Sequence, residues 1–245
     1  MSEEIIVKFD RVSFSYGRNE VLKDVDLSIK KGDFFAIIGP NGGGKTTILR
    51  LILGLESPSK GSVQIKGAPY SAGSLKTGYV PQFSNHDRQF PLQVKDVVLQ
   101  GLIGPDSLLP FYKKEQIERT MAVMKKLGIE KRADDRFGEL SGGLKQRTLI
   151  ARAIVSEPEL LLLDEPVASV DSSIEKDIYE MLVELNRNMT IVMVSHDLGF
   201  VSDYVNMVGC VNRTFISHHT HDISHSDIDS MYKSKGVMIN HKCGI

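Results

Sequence analysis

Gly39-Pro40-Asn41-Gly42-Gly43-Gly44-Lys45-Thr46-Thr47 is the stretch from which the fold can be read. An apolar run, Phe34 to Ile38, precedes it, and an amphipathic run, Ile48 to Leu55, follows. The order is therefore strand, glycine loop, helix. The spacing G-x-x-x-x-G-K-T is that of a phosphate-binding loop. Glycines let the backbone curl until successive N–H groups converge on one concavity. The helix that starts there adds partial positive charge beneath an anion. Lys45 is placed to reach β- and γ-phosphates, and the Thr46 hydroxyl to take one position on Mg²⁺.

Whole-chain properties narrow the class. The chain has 245 residues, enough for one large domain or a core with an inserted lobe. A net charge of −1 gives no global field toward nucleic acid or membrane. No apolar run is long enough to span a bilayer, and Met1-Ser2-Glu3-Glu4 lacks a signal-peptide pattern, so a cytoplasmic chain is expected. Cys210 and Cys243 form no C-x-x-C pair and read as one buried thiol and one tail thiol.

Upstream of the loop, Ile5 to Val12 and Val21 to Ile29 read as strands, with Phe14 to Gly17 as a turn. Tyr16 is either a turn tyrosine or a flat face on which adenine can stack. Ser62 to Ile65 reads as a short strand and Gly67 to Gly78 as loop. A strand then ends at Gln82, which is either a loop residue or a ligand for Mg²⁺ and the attacking water. Beyond Leu92 the spacing turns helical through Val94, Val97, Val98 and Leu99, then Ile117, Met121, Met124 and Leu127. This predicts a helical lobe at about residues 88–157, inserted in an α/β core, with both methionines inside it.

Ser141-Gly142-Gly143 opens a helix running to Ile154, with Ser141 as its expected cap and a second place for an anion. Leu160 to Asp164 is a buried parallel strand, ending in Asp164-Glu165. Its carboxyl edge is where α/β sheets bind ligands. Asp164 can there hold the water shell of Mg²⁺ and Glu165 can polarise an attacking water. Asp171 to Asn186 reads as an amphipathic helix and Thr190 to Ser195 as a strand. His196 follows on the same edge as a candidate γ-phosphate sensor. Tyr204 to Val211 closes the core, and past Asn212 the pattern weakens.

In this order, the pieces resemble the ATP-binding subunit of an ABC transporter over about residues 3–212. Tyr16 resembles the adenine-stacking aromatic, Gly39 to Thr46 the Walker A loop and Gln82 the Q-loop glutamine. Leu140 to Gly143 resembles the family signature, Leu160 to Asp164 with Glu165 the Walker B strand and catalytic glutamate. Ala168 to Asp171 resembles the D-loop and His196 the switch histidine. Leu144 stands where the signature usually has glutamine, and Val167 where threonine commonly follows Glu-Pro.

The resemblance implies a P-loop NTPase core with a mixed, mainly parallel sheet, an N-terminal antiparallel β-subdomain and an inserted helical lobe. It implies an ATPase domain over 1–212 and a polar, histidine-rich tail over 213–245. ATP and Mg²⁺ are the implied cofactors. The implied partners are a second copy paired head to tail when ATP is bound, an integral membrane permease and, indirectly, an extracytoplasmic metal-binding protein; no nucleic acid is implied. In that pair, Walker A of one copy faces Ser141-Gly142-Gly143 of the other. The implied location is the cytoplasmic face of the membrane. Wording from Tyr179 to Asn186, and at Ser195-His196-Asp197-Leu198, is similar to the zinc/manganese uptake branch, zinc ahead of manganese. Ferric chelates, another solute and a non-transport ABC ATPase are the alternatives.

Five of the seven histidines, His218, His219, His221, His225 and His241, fall in the last 28 residues, with Asp222, Asp227 and Cys243 among them. They offer either a weak zinc-type regulatory site or a solvated polar tail, and their spacing follows no fixed ligand template.

Overall fold

The computed structural model describes residues 4–70, 75–82, 92–103, 112–168, 170–196 and 203–220. Two sheets carry the chain. An antiparallel sheet is built from β1 (Ile5–Tyr16), β2 (Asn19–Lys30), β4 (Lys60–Ile65) and the short β5 (Ala68–Pro69), in the order β2-β1-β4-β5. The second sheet contains β3 (Phe34–Ile38), β6 (Thr77–Val80), β7 (Leu160–Asp164), β8 (Thr190–Val194), β9 (Met207–Asn212) and β10 (Thr214–His219). Its order is β10-β9-β3-β8-β7-β6, parallel throughout except for the β9–β10 hairpin.

The period-two pattern of a strand explains how one sheet serves two cores. Phe34, Ala36, Ile38, Leu161, Leu163, Ile191 and Met193 all point into one apolar cluster. The residues between them, Phe35, Ile37, Leu160, Leu162, Val192 and Val194, point into another. The first cluster is closed by α2 (Val94–Leu99), α3 (Lys114–Lys126), α4 (Gly142–Ile154) and α5 (Ser172–Asn186). The second is closed by α1 (Lys45–Ile52) and the inner face of the antiparallel sheet. β3, β7 and β8 are buried at every position, which is why their sequences are continuous apolar runs. In sequence, α2, α3 and α4 all fall between β6 and β7, whereas α5, which closes the same cluster, falls between β7 and β8.

Several expectations need correction. Phe14 to Tyr16 is not a turn: β1 runs on to Tyr16, which pairs with Asn19 across a tight Gly17-Arg18 turn. Phe14 is buried, so packing holds the strand past the irregularity at Arg11, whose φ is 44°. Ala68–Pro69 forms a short strand where loop was expected. Of the two lobe methionines, Met124 is buried and Met121 is exposed, because α3 is a covering helix with only one face against the cluster. The boundary placed after Asn212 falls inside a hairpin. Phe215 on β10 stacks on Phe35 of β3, centroids 6.4 Å apart, so Thr214–His219 belongs to the sheet. Ser141 occupies the N-cap position of α4, and Asp171 that of α5, yet neither side chain makes a capping hydrogen bond.

Candidate functional site

The phosphate loop joins β3 to α1, with Gly44 at the N-cap in the left-handed region, φ 104°. Glycine is required there for backbone and for space: a Cβ would lie 2.6 Å from Leu22 Cδ2. Gly39, φ 153°, is tighter still, since its Cβ would come within 2.0 Å of the Val211 carbonyl oxygen. The end of β9 thus presses on the loop. The Arg213 N–H donates to Gly43 O at 3.4 Å, and Arg213 O accepts from Lys23 N–H at 2.8 Å, tying loop, hairpin and β2 together. Pro40 and Asn41 form the exposed rim of the loop, while Thr47 turns inward from α1 and is buried.

Lys45 is buried, and its ammonium donates to Gly39 O at 2.9 Å and Pro40 O at 3.1 Å. An ammonium has three donors, so one remains for an anion above the loop. Thr46 Oγ1 lies 3.3 Å from Asp164 Oδ1, residues 118 apart in sequence. A hydroxyl and a carboxylate are the hard oxygen donors that suit Mg²⁺. Burial pushes the Asp164 carboxyl above the usual carboxylate range, the Thr46 hydrogen bond opposes this, and neighbouring Glu165 adds to it.

Glu165 leaves the end of β7 with φ 50°, a backbone state that non-glycine residues adopt mainly at constrained sites. Its N–H bonds to Val194 O at 3.1 Å, fixing the turn against β8. Its Oε2 accepts a 2.7 Å hydrogen bond from Gln82 Nε2, at the end of β6, and lies 4.0 Å from His196 Nδ1, at the end of β8. Three neighbouring parallel strands therefore deliver Gln82, Asp164-Glu165 and His196 to one edge. The Gln82 amide oxygen is left for a cation on the same edge, so Thr46, Asp164 and Gln82 fit Mg²⁺ as a set of oxygen donors.

Tyr16 lies 43% exposed at the tip of the β1–β2 hairpin. Phe14 meets its ring edge-on, centroids 4.8 Å apart. Arg50, on α1, donates to its hydroxyl at 3.2 Å. Sequence pattern missed Arg50, which reads there only as an ordinary polar position on the helix. It also missed the loop brace from Val211 and Arg213, a contact made by residues distant in sequence.

Ser141 and Gly142 are exposed at the start of α4, and no hydrogen bond among the described residues joins them to the phosphate loop. Gly143 is buried, and a Cβ there would come within 2.5 Å of Ile174 Cγ2, so glycine lets α4 approach α5. Leu144 packs into the lobe cluster, which explains an apolar residue at that position. Asp171 is exposed, and its carbonyl accepts from Ile174 and Glu175 N–H. Ser169 and Asp197 lie outside the described residues, as do His221, Asp222, His225, Asp227, His241 and Cys243. His218 and His219 are adjacent on β10 and so face opposite sides of it. Among the described residues no three ligating side chains form a metal cluster. Cys210 is largely buried, which pushes its thiol up to about 11.

A parallel sheet whose edge carries a glycine loop, a buried lysine, a threonine–aspartate pair and a hydrogen-bonded glutamate defines a P-loop nucleotide-binding protein. Comparison with known proteins gives the family. The ABC transporter family model matches residues 22–168. The chain is 42% identical over 212 residues, 84% of its own length and 86% of the relative's, to a probable metal transport system ATP-binding protein of Chlamydia pneumoniae. It is 40% identical over 216 residues, 86% and 84% of the two chains, to the zinc uptake system ATP-binding protein ZurA of Listeria innocua. It is 37% identical over 203 residues, 82% and 81%, to the manganese transport system ATP-binding protein MntB of Bacillus subtilis. The dimeric ATP-binding cassette MJ0796, bound to ADP and Pi, superposes with a TM-score of 0.72 at 27% identity, covering 88% of this chain and 99% of that one. The chain belongs to the ABC transporter family and is an ABC ATPase. No helix among the described residues is long and apolar enough to cross a membrane.

Proposed function

We propose that this chain is the ATP-hydrolysing subunit of an importer for a divalent metal ion, zinc first and manganese second. It works through a separate membrane permease at the cytoplasmic face of the membrane. The observation that carries the catalytic part is the convergence of Thr46 on Asp164 and of Gln82 on Glu165 at one sheet edge. The metal assignment rests on kinship with ATP-binding proteins named for zinc and manganese uptake.

In this reading Tyr16 stacks on adenine, and the loop Gly39-Pro40-Asn41-Gly42-Gly43-Gly44 wraps the phosphates with its N–H groups. Lys45 supplies the charge, and Thr47 anchors the first turn of α1. Thr46, Asp164 and Gln82 hold Mg²⁺. Bound there, that ion would supply positive charge against the phosphates. Glu165 takes the proton of the attacking water and is held in line by the Gln82 amide. His196, 4.0 Å from Glu165, reaches the γ-phosphate. Catalysis here is positioning and charge stabilisation.

Ser141 and Gly142 stand exposed at a helix start with Gly143 buried behind them, and among the described residues none of the three hydrogen-bonds its own phosphate loop. We assign them to the triphosphate of a second copy, with Asp171 at the seam between copies. ATP then closes the dimer, and hydrolysis opens it.

The test is uptake of labelled zinc and of labelled manganese by cells carrying the chain or its Glu165→Gln form. Loss of uptake of one metal, restored by the wild type, supports the proposal and names the cargo. Unchanged uptake of both removes the metal assignment.

A further inference from the structure

The Arg50–Tyr16 hydrogen bond joins two parts of the nucleotide site that the sequence keeps apart. Lys45 and Arg50 share α1, and five residues of helix separate them by about 7.5 Å along the axis. The helix that starts at the phosphates therefore also touches the aromatic at the tip of the β1–β2 hairpin. Tyr16 is exposed on a hairpin end, where a ring would otherwise sample several rotamers. Two contacts restrict it: the edge of Phe14 at 4.8 Å and the Arg50 guanidinium at 3.2 Å from its hydroxyl. Among the described residues the guanidinium has one further carboxylate, Glu56, at 4.0 Å. The Tyr16 hydrogen bond is the foremost influence raising the Arg50 guanidinium above its ordinary range.

We infer that Arg50 is a positioning residue for the base: it fixes the Tyr16 ring relative to α1, so that one helix sets the spacing between the adenine platform and the phosphate loop. This rests on the reading of Tyr16 as that platform. A ring already held in place loses less conformational freedom when a base stacks on it, which strengthens binding without adding a contact to the ligand. The effect must then appear for ligands that carry a base and vanish for those that do not.

The experiment measures binding of ATP and of inorganic tripolyphosphate to the full chain by calorimetry. The forms compared are wild type, Tyr16→Ala, Tyr16→Phe, Arg50→Met, Arg50→Lys and the Tyr16→Phe/Arg50→Met double variant. Tyr16→Ala should weaken ATP and spare tripolyphosphate. Tyr16→Phe and Arg50→Met should each weaken ATP by about three- to tenfold, the range for loss of one hydrogen bond of ordinary net strength. The double variant should be no worse than either single variant, and Arg50→Lys, which keeps a donor, should recover part of the loss.

Equal weakening of ATP and tripolyphosphate by Arg50→Met would place its action on the phosphates and overturn the inference. Wild-type ATP affinity in Arg50→Met, with Tyr16→Ala weakened, would overturn it while leaving the platform intact. Wild-type affinity in Tyr16→Ala would remove the platform and the inference together. Should Arg50→Met not fold, Tyr16→Phe carries the test, and unchanged ATP affinity in it overturns the inference.

Discussion

Replacing Glu165 by glutamine separates binding from turnover. The glutamate accepts a 2.7 Å hydrogen bond from Gln82, and its side chain is only 15% exposed. Glutamine is isosteric and keeps one carbonyl oxygen, so the Gln82 contact survives and the turn at φ 50° is unaltered. What disappears is the proton acceptor. General-base catalysis contributes about 10²- to 10⁴-fold, so hydrolysis should fall by at least about a hundredfold, or about 2.7 kcal/mol at 1.36 kcal/mol per tenfold. Removing a negative charge beside the triphosphate should leave ATP affinity equal to or tighter than that of the wild type. Phosphate release gives the turnover, fluorescence titration gives ATP affinity, and size-exclusion chromatography with light scattering follows the dimer. The variant should accumulate as an ATP-bound dimer and remain monomeric with ADP. Turnover within about twofold of wild type would remove Glu165 from the role of base. Loss of ATP binding would mean instead that the carboxylate supports the local structure.

Asp164→Asn should raise the melting temperature of the nucleotide-free chain at neutral pH. Burial raises the folded-state pKa of Asp164, so its folding contribution is most favourable below the ordinary carboxylate pKa of about 3.9 and is lost as pH rises through the raised value. The gain in the variant should shrink as pH falls toward 4, and its stabilisation by Mg²⁺-ATP should be lost; melting curves across pH, with and without ligand, check both. Gly39→Ala places a methyl 2.0 Å from Val211 O and should cost about 1–3 kcal/mol, measured by urea unfolding, with ATP binding reduced more than stability because the loop itself must move. Thr120 is fully buried on α3 and its hydroxyl has no hydrogen-bond partner among the described residues, so Thr120→Val should be neutral or stabilising by about 1 kcal/mol in the same assay.

The elements most legible in the sequence are those where the local pattern and the buried environment agree. Phe34–Ile38, Leu160–Asp164 and Thr190–Val194 are uninterrupted apolar runs because each strand is covered on both faces. The glycine loop between the first of these and α1 is dictated by phosphate geometry, so spacing alone identifies it. The exposure of Met121 and the strand beyond Asn212 are not legible locally. Helical spacing tells which residues share a face, but not whether that face meets the core. The 6.4 Å stack of Phe215 on Phe35 that fixes β10 depends on sheet order, not on local pattern.

By itself the sequence determined the phosphate loop, the order of the strands and helices, and the residue types at the sheet edge. Those follow from local backbone chemistry and from periodicities of 2.0 and 3.6. Only the tertiary structure decided which of these residues meet. It brought Thr46 to Asp164, Gln82 to Glu165 and Arg50 to Tyr16, and pressed Val211 against Gly39. The physical reason is strand order. β3, β8, β7 and β6 lie side by side although β6 precedes β7 by a whole helical lobe, and parallel strands send all their carboxyl ends to one edge.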